Sequence, residues 1–198
     1  MARRLADRLG WRLLDAEIVQ LVAQKLGVSP EVACIHDEQV EGFAQRLFEA
    51  MSYFSPPVLP NDVAALNVND ITYGLTLKQV LLTAGELGHV VFVGRGAQLT
   101  LASYRDVLHV RVVAPLPKRI ERVMHRAGLN AAVARELIHK KDREREESIK
   151  ELHHCSITDA HLYDLTINTG FLDLPCSTEL ALRALDLKAQ SLFHPSGA

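Results

Sequence analysis

Apolar positions along the chain fall into two patterns, helical stripes and short unbroken runs, and the two alternate. Residues 2–10 place Ala2, Leu5, Ala6 and Leu9 on one helical face, with Gly10 as the stop. Trp11–Leu14 is a brief apolar run that reads as a buried strand ending at Asp15. A second helix is predicted over 16–26, where Ile18, Leu21, Val22 and Leu26 form a stripe and Gly27 follows. Ser29 and Pro30 then suit a helix cap and first turn, and 32–50 continues helical but more polar. Residues 51–75 hold three prolines and several turn formers and read as a loop or mobile insert. Beyond it come a helix at 76–87, a strand HVVFVG at 89–94 and a strand VLHVRVVA at 107–114. Pro115 and Pro117 lead into a helix at 117–127, and a strongly charged helix follows over 131–152. The strand LYDLTINT at 162–169 and a helix at 176–192 end the order.

Strands that read as continuous apolar runs, and not as polar/apolar alternation, are expected to be buried on both faces. Alternating with helices, they predict an α/β fold with a parallel sheet between helical layers. Ligands in such folds bind beyond the carboxyl ends of the strands. The places to search are therefore Asp15, Gly94–Ala97, Ala114 and Asn168–Gly170.

Composition narrows the class without naming a function. The 198 residues are 48% hydrophobic and 23% charged, which excludes a disordered chain, a collagen and a coiled-coil rod. No apolar run approaches the roughly 18 residues of a membrane span, and the basic N-terminus lacks the apolar core of a secretory signal. Three scattered cysteines (Cys34, Cys155, Cys176) do not make a disulfide framework, so the expected compartment is the cytoplasm. A net charge of −2 argues against a nucleic-acid partner. Arginine outnumbers lysine 15 to 7. That bias fits either a need for planar forks that grip phosphate or carboxylate, or a coding preference. Oligomeric state has no signature in the sequence.

Two segments could carry chemistry. Gly94-Arg95-Gly96 leaves a predicted strand end, where two glycines permit a sharp turn and the arginine sits at the mouth of the sheet. The plain alternative is an ordinary turn with a solvated arginine. The run HKKDREREESIKE at 139–151 gathers Asp142, Arg143 and Arg145 within one helical turn. Charge runs are usually solvated faces tied by surface pairs among residues such as Lys141, Glu144 and Arg145. The chain has no G-x-S-x-G elbow, no G-x-G-x-x-G fingerprint and no G-x-x-x-x-G-K-[ST] phosphate loop. His153-His154-Cys155 with His161 invites a zinc reading, but adjacent histidines share one ion poorly and C-x-x-C is absent, so no metal site is expected.

Five segments taken in order resemble the cytidylate kinase-like family, a branch of the P-loop nucleoside monophosphate kinases. They are ARRLADRLGWRLLD at 2–15, VVFVGRGA at 90–97, VRVVAPLPKRIERVM at 110–124, KKDRER at 140–145 and YDLTINT at 163–169. The resemblance covers nearly the whole chain except about 30–75. It implies a single kinase-like domain over 1–198, a five-stranded parallel sheet with helices on both faces, an acceptor-nucleotide insert at 30–75 and a lid at 130–158. It further implies transfer of the ATP terminal phosphoryl to a nucleoside monophosphate, CMP-like, with Mg²⁺. By the same resemblance Asp15 faces the acceptor, Arg95 between Gly94 and Gly96 binds the acceptor phosphate, and Arg143 and Arg145 are lid arginines oriented by Asp142.

Members of the family begin with a strand and a glycine-rich phosphate loop just before the ARRLA helix, and this sequence starts at Met1-Ala2-Arg3-Arg4. The expectation is a parallel sheet without its first, central strand, which strands backbone groups at about 1–3 kcal/mol each. Either the start was placed too late, with about 20 further residues upstream for a strand and loop, or the chain is a degraded paralogue. The first account is preferred, and the 198-residue polypeptide is then expected to be inactive by itself. Rival readings are a non-catalytic nucleotide- or protein-binding paralogue, and a small-molecule kinase on the same fold. The lid lacks the aromatic residues expected after its D-x-x-R element, running Glu146-Glu147-Ser148-Ile149, which leaves nucleotide preference open. The acceptor is not legible because its base-reading residues would come from the unmatched 30–75 insert.

Overall fold

A computed structural model describes residues 1–15 and 70–193. The expected helices over 16–26 and 29–50, and the insert up to residue 69, lie outside the described residues. The chain divides into two compact units, one made of Ala2 and Ala6–Leu101, the other of Met1, Arg3–Leu5 and Ala102–Ala198.

Helix α1 (Ala2–Leu9), whose residues divide between the two units, ends where Gly10 turns at φ 65, a left-handed value that glycine adopts without penalty. Strand β1 (Arg12–Leu14) then pairs in parallel with β2 (Val90–Phe92), Leu13 opposite Val91. Between them in sequence lies helix α2 (Asp70–Leu87). Its start corrects the loop expected to run to 75, because Asp70–Leu75 already belong to the helix. Leu77, Val80, Leu81 and Ala84 recur at helical spacing on α2 and bury against Leu14 and Ala97, with Val90 and Phe92 packed alongside. A short helix α3 (Ala97–Thr100) and the buried Leu101 close this core. Gly85 lets Leu101 come close, since an added Cβ would sit 3.1 Å from its Cδ2.

In the second unit, β3 (Val110–Val113) pairs in parallel with β4 (Leu165–Asn168), Val112 opposite Ile167. Between them in sequence is a helical hairpin of α4 (Leu116–Ala127) and α5 (Ala131–His153). Gly128 at φ 65 caps α4 by donating to Met124 O, and the Asn130 side chain accepts from Val133 N at 2.9 Å to start α5. Ile120, Ala134 and Ile138 form the hairpin core, joined by Leu116, Val123, Met124 and Leu129. The last helix, α6 (Leu174–Phe193), buries Ser177, Thr178 and Ala181. Its Lys188 reaches back to Asp164 at 2.7 Å and to Val107 O at 2.9 Å.

Both strand pairs are parallel, as an α/β sheet requires, and among the described residues each pair is two strands wide. The expectation of strands buried on both faces needs correction. β2 is only half-buried and Val112 on β3 is 48% exposed, because each of these strands is flanked by one neighbour where an interior strand has two.

Candidate functional site

Parallel pairing carries the carboxyl ends of β1 and β2 to the same side of their sheet. Asp15 follows Leu14 on one strand, and Val93 N donates to Leu14 O at 2.9 Å on the other, so Asp15 and the glycine turn emerge together. Gly94, Arg95 and Gly96 have φ of 76, 60 and 68, three left-handed residues in succession. Ala97 N closes the turn onto Gly94 O at 3.3 Å, and Gly96 O accepts from Leu99 N and Thr100 N. The two glycines adopt this backbone freely, whereas Arg95 carries the roughly 1–2 kcal/mol that a Cβ costs there. A strained non-glycine residue at the ligand-binding end of a parallel pair is a mark of a functional position. Arg95 is partly buried, Gly96 is buried and Gly94 is exposed.

In the second unit the charged helix α5 does not present one uniform solvated face. Lys141 pairs with Glu144 at 2.7 Å and Lys140 approaches it at 3.9 Å, the ordinary surface pattern. Asp142 behaves differently. Arg119 on α4 donates Nη1–H to its Oδ2 at 2.7 Å and Nη2–H to its Oδ1 at 2.6 Å, a fork that bridges the two helices. The Arg119 hydrogen bonds hold the Asp142 carboxyl below the usual carboxylate range despite the opposing effect of burial. The same bonds raise the Arg119 guanidinium above its own. Arg145 stands 3.7 Å from Asp142 Oδ1, so the expected Asp142–Arg145 neighbourhood exists, but Arg119 is the closer partner. Arg143 is exposed on α5, one residue around the helix from Asp142. Arg119 escaped the sequence reading because its partner is 23 residues away and nothing local marks it.

A cavity of about 430 Å³ opens beside the carboxyl ends of β3 and β4. Its floor is the turn after β4: Thr169 N donates to Val113 O at 2.8 Å, and Asn168 Oδ1 accepts from Gly170 N at 2.9 Å. Its wall is α4, from which Arg122 donates to Thr169 Oγ1 at 2.9 Å and to Thr169 O at 2.6 Å. Lys118 and His125 lie along the same wall, and Phe171, 86% exposed, stands at the rim. The strand-end rule had pointed to Asn168–Gly170, while Arg122 and Phe171 carried no signal in the sequence beyond helical spacing after Pro115.

Among the described residues no group of three or more His, Cys, Asp or Glu is arranged to hold a metal ion. His161 is engaged by Asp159 at 2.9 Å. No described helix is long and apolar enough to cross a membrane.

The sequence profile of the cytidylate kinase-like family matches residues 1–170. A cytidylate kinase of Methanopyrus kandleri is 33% identical over 95 residues, covering 44% of this chain and 49% of that protein. A Corynebacterium glutamicum protein named uronate isomerase is 42% identical over 80 residues, covering 40% of this chain but 15% of that protein. The chain thus spans half or less of the length of these relatives. In structure it resembles an uncharacterized protein from Eubacterium ventriosum, with a TM-score of 0.67 at 19% identity, over 94% of this chain and 89% of that one. That likeness concerns the fold alone. With the profile spanning most of its length, the chain belongs to the cytidylate kinase-like family.

Proposed function

We propose that the protein is a phosphotransferase that moves the terminal phosphoryl group of ATP to a nucleoside monophosphate of the CMP type. The observation that carries the reading is the cavity at the ends of β3 and β4 with Arg122 on its wall. Arg122 directs two of its N–H groups at Thr169, which fixes the guanidinium plane and leaves its faces for stacking on a flat base. A volume of about 430 Å³ lies in the range of small-ligand sites and suits a nucleoside moiety. Phe171 at the rim adds an aromatic surface.

The remaining roles follow the charges. Arg95, held by the Gly94 and Gly96 turn, grips the acceptor phosphate, and Asp15 beside it accepts hydrogen bonds from the acceptor's sugar or base. The region 130–158 serves as the lid, from which Arg145 and Arg143 address the phosphates of ATP, with Asp142 as their local anion. The segment 30–75 is the acceptor-binding insert. Phosphoryl transfer needs little covalent help from side chains. It needs donor and acceptor held in line and positive charge around the moving group, and arginine forks supply both. Mg²⁺ enters with the nucleotide, since such ions are held largely by phosphate oxygens and water and the described residues offer no carboxylate cage. When bound, it offsets phosphate charge.

The test is transfer of label from γ-labelled ATP to each of the four common nucleoside monophosphates, using the full-length gene product. A labelled diphosphate from CMP, reduced by Arg122→Ala through a raised KM for ATP, is the expected result. No labelled diphosphate with any acceptor refutes the proposal.

A further inference from the structure

The middle of α5 is nearly bare of packing. Ile138 is buried in the hairpin core and Ile149 is buried again eleven residues on, but from His139 to Ser148 every residue is exposed except Asp142. Apolar contacts therefore anchor this stretch only at its two ends. The tether at its centre is the fork from Arg119, with both oxygens of Asp142 taken at 2.7 and 2.6 Å. A bidentate pair fixes direction as well as distance, which a single contact does not. Arg145, one turn further along the same helix, is 66% exposed and only 3.7 Å from Asp142. It is close enough to be drawn in, and too long a contact to be held.

We propose that Arg119 is a positioning residue, whose clamp on Asp142 sets the rotation of the exposed middle of α5 and so aims Arg145 at the outer phosphates of a bound nucleotide. The inference rests on reading Arg145 as a phosphate-binding arginine. It divides the labour between two arginines that meet one carboxylate: Arg119 is committed to Asp142, and Arg145 is left to turn toward an anion. Lysine cannot replace Arg119, because an ammonium keeps the charge but loses the planar fork.

Two measurements on the full-length gene product test it. The first is hydrogen exchange without ligand. Arg119→Lys is expected to speed exchange across 139–148 by about tenfold while 131–138 and α4 stay as in the wild type, because the tether is lost and the core is kept. Unchanged exchange across 139–148 overturns the clamp. The second is calorimetric affinity for ATP and, separately, for CMP, in Arg119→Lys, Arg145→Ala and the double variant. Each single variant is expected to weaken ATP by about tenfold and leave CMP unaltered, and the double variant to bind ATP no more weakly than Arg145→Ala. Equal losses for ATP and CMP, or losses that multiply in the double variant, overturn the proposal in favour of a general structural tether. If Arg145→Ala binds ATP as the wild type does, the aim assigned to Arg119 is overturned. Fast exchange in Arg119→Lys would then trace the failure to the phosphate role of Arg145 and not to the clamp.

Discussion

Adding a single methyl group at Gly170 is expected to be among the most damaging small changes in the second unit. A Cβ built there would lie under 3.0 Å from Pro115 Cδ, and 3.0 Å from both Pro115 Cγ and Asn168 Oδ1. Ordinary contact begins near 3.4 Å, so even the looser two neighbours fall short by a few tenths of an ångström. Neither can give easily. The proline ring is covalently closed and sits at the N-cap of α4, where its carbonyl accepts from Arg119 N at 3.1 Å. The Asn168 carboxamide is held by the Gly170 N–H itself. Overpacking against rigid neighbours costs about 1–3 kcal/mol, and the closed ring puts Gly170→Ala toward the upper end. Urea denaturation followed by far-ultraviolet circular dichroism reads this directly as a lower midpoint at unchanged slope. Pro115→Ala removes Cγ and Cδ, so the double variant should recover about 1–2 kcal/mol relative to the sum of the singles. A Gly170→Ala midpoint within error of the wild type, or additive singles, would refute the close approach. Because Gly170 and Phe171 also line the cavity, the same variant should raise the KM for ATP.

Further outcomes follow from other sites. The Asp142 carboxyl is held low by Arg119, so its contribution to stability is present above the unfolded value of about 3.9 and is lost as pH falls through the folded one. Asp142→Asn should therefore flatten the acid limb of a stability–pH curve below about pH 5, and superimposable limbs would exclude the linkage. Arg95→Gly suits the left-handed backbone at φ 60, so stability should stay within about 1 kcal/mol. The acceptor kcat/KM should nevertheless fall by the equivalent of about 2–4 kcal/mol, and an unaltered kcat/KM would leave Arg95 a turn residue only. In single-turnover transfer, Arg145→Ala should slow the step much more than Arg143→Ala, since Arg145 shares the face of Asp142 and Arg143 does not. The reverse order would shift the assigned register of the lid by two residues.

The four strands of the described residues were legible because short apolar runs, valine-rich in β2 and β3, stand where they lie. Their ends were less so. VLH at 107–109 reads as strand, yet β3 begins at Val110, because the His109 N–H goes to the Asp164 carboxylate at 2.7 Å and not to a strand neighbour. The start of α2 was hidden by Asp70 and Gly74, turn formers that here lie within the first turns of a helix. At the candidate site, glycines flanking Arg95 announced a turn, but the left-handed backbone of the arginine itself has no sequence mark. Arg119 and Arg122 carry no mark of their own in the sequence. What distinguishes them is a partner 23 residues on for one and 47 for the other, and hydrophobic periodicity is blind to such pairings.

The hairpin of α4 and α5 also orders the events by which the second unit assembles. Its helices are joined by only Gly128, Leu129 and Asn130, so its contacts close a short loop, whereas the strand pair joins His109 to Asp164 across 55 residues. A tenfold longer loop costs about 2 kcal/mol more to close, which favours local helix pairing before distant strand pairing. Once the hairpin stands, it shortens the effective loop between β3 and β4, although α5 with 23 residues outruns α4 with 12. Asn130→Ala, which loosens the start of α5, is then expected to slow refolding in stopped-flow mixing. Gly170→Ala, acting at a contact made late, should mainly speed unfolding, and the opposite assignment of the two rate changes would place strand pairing first.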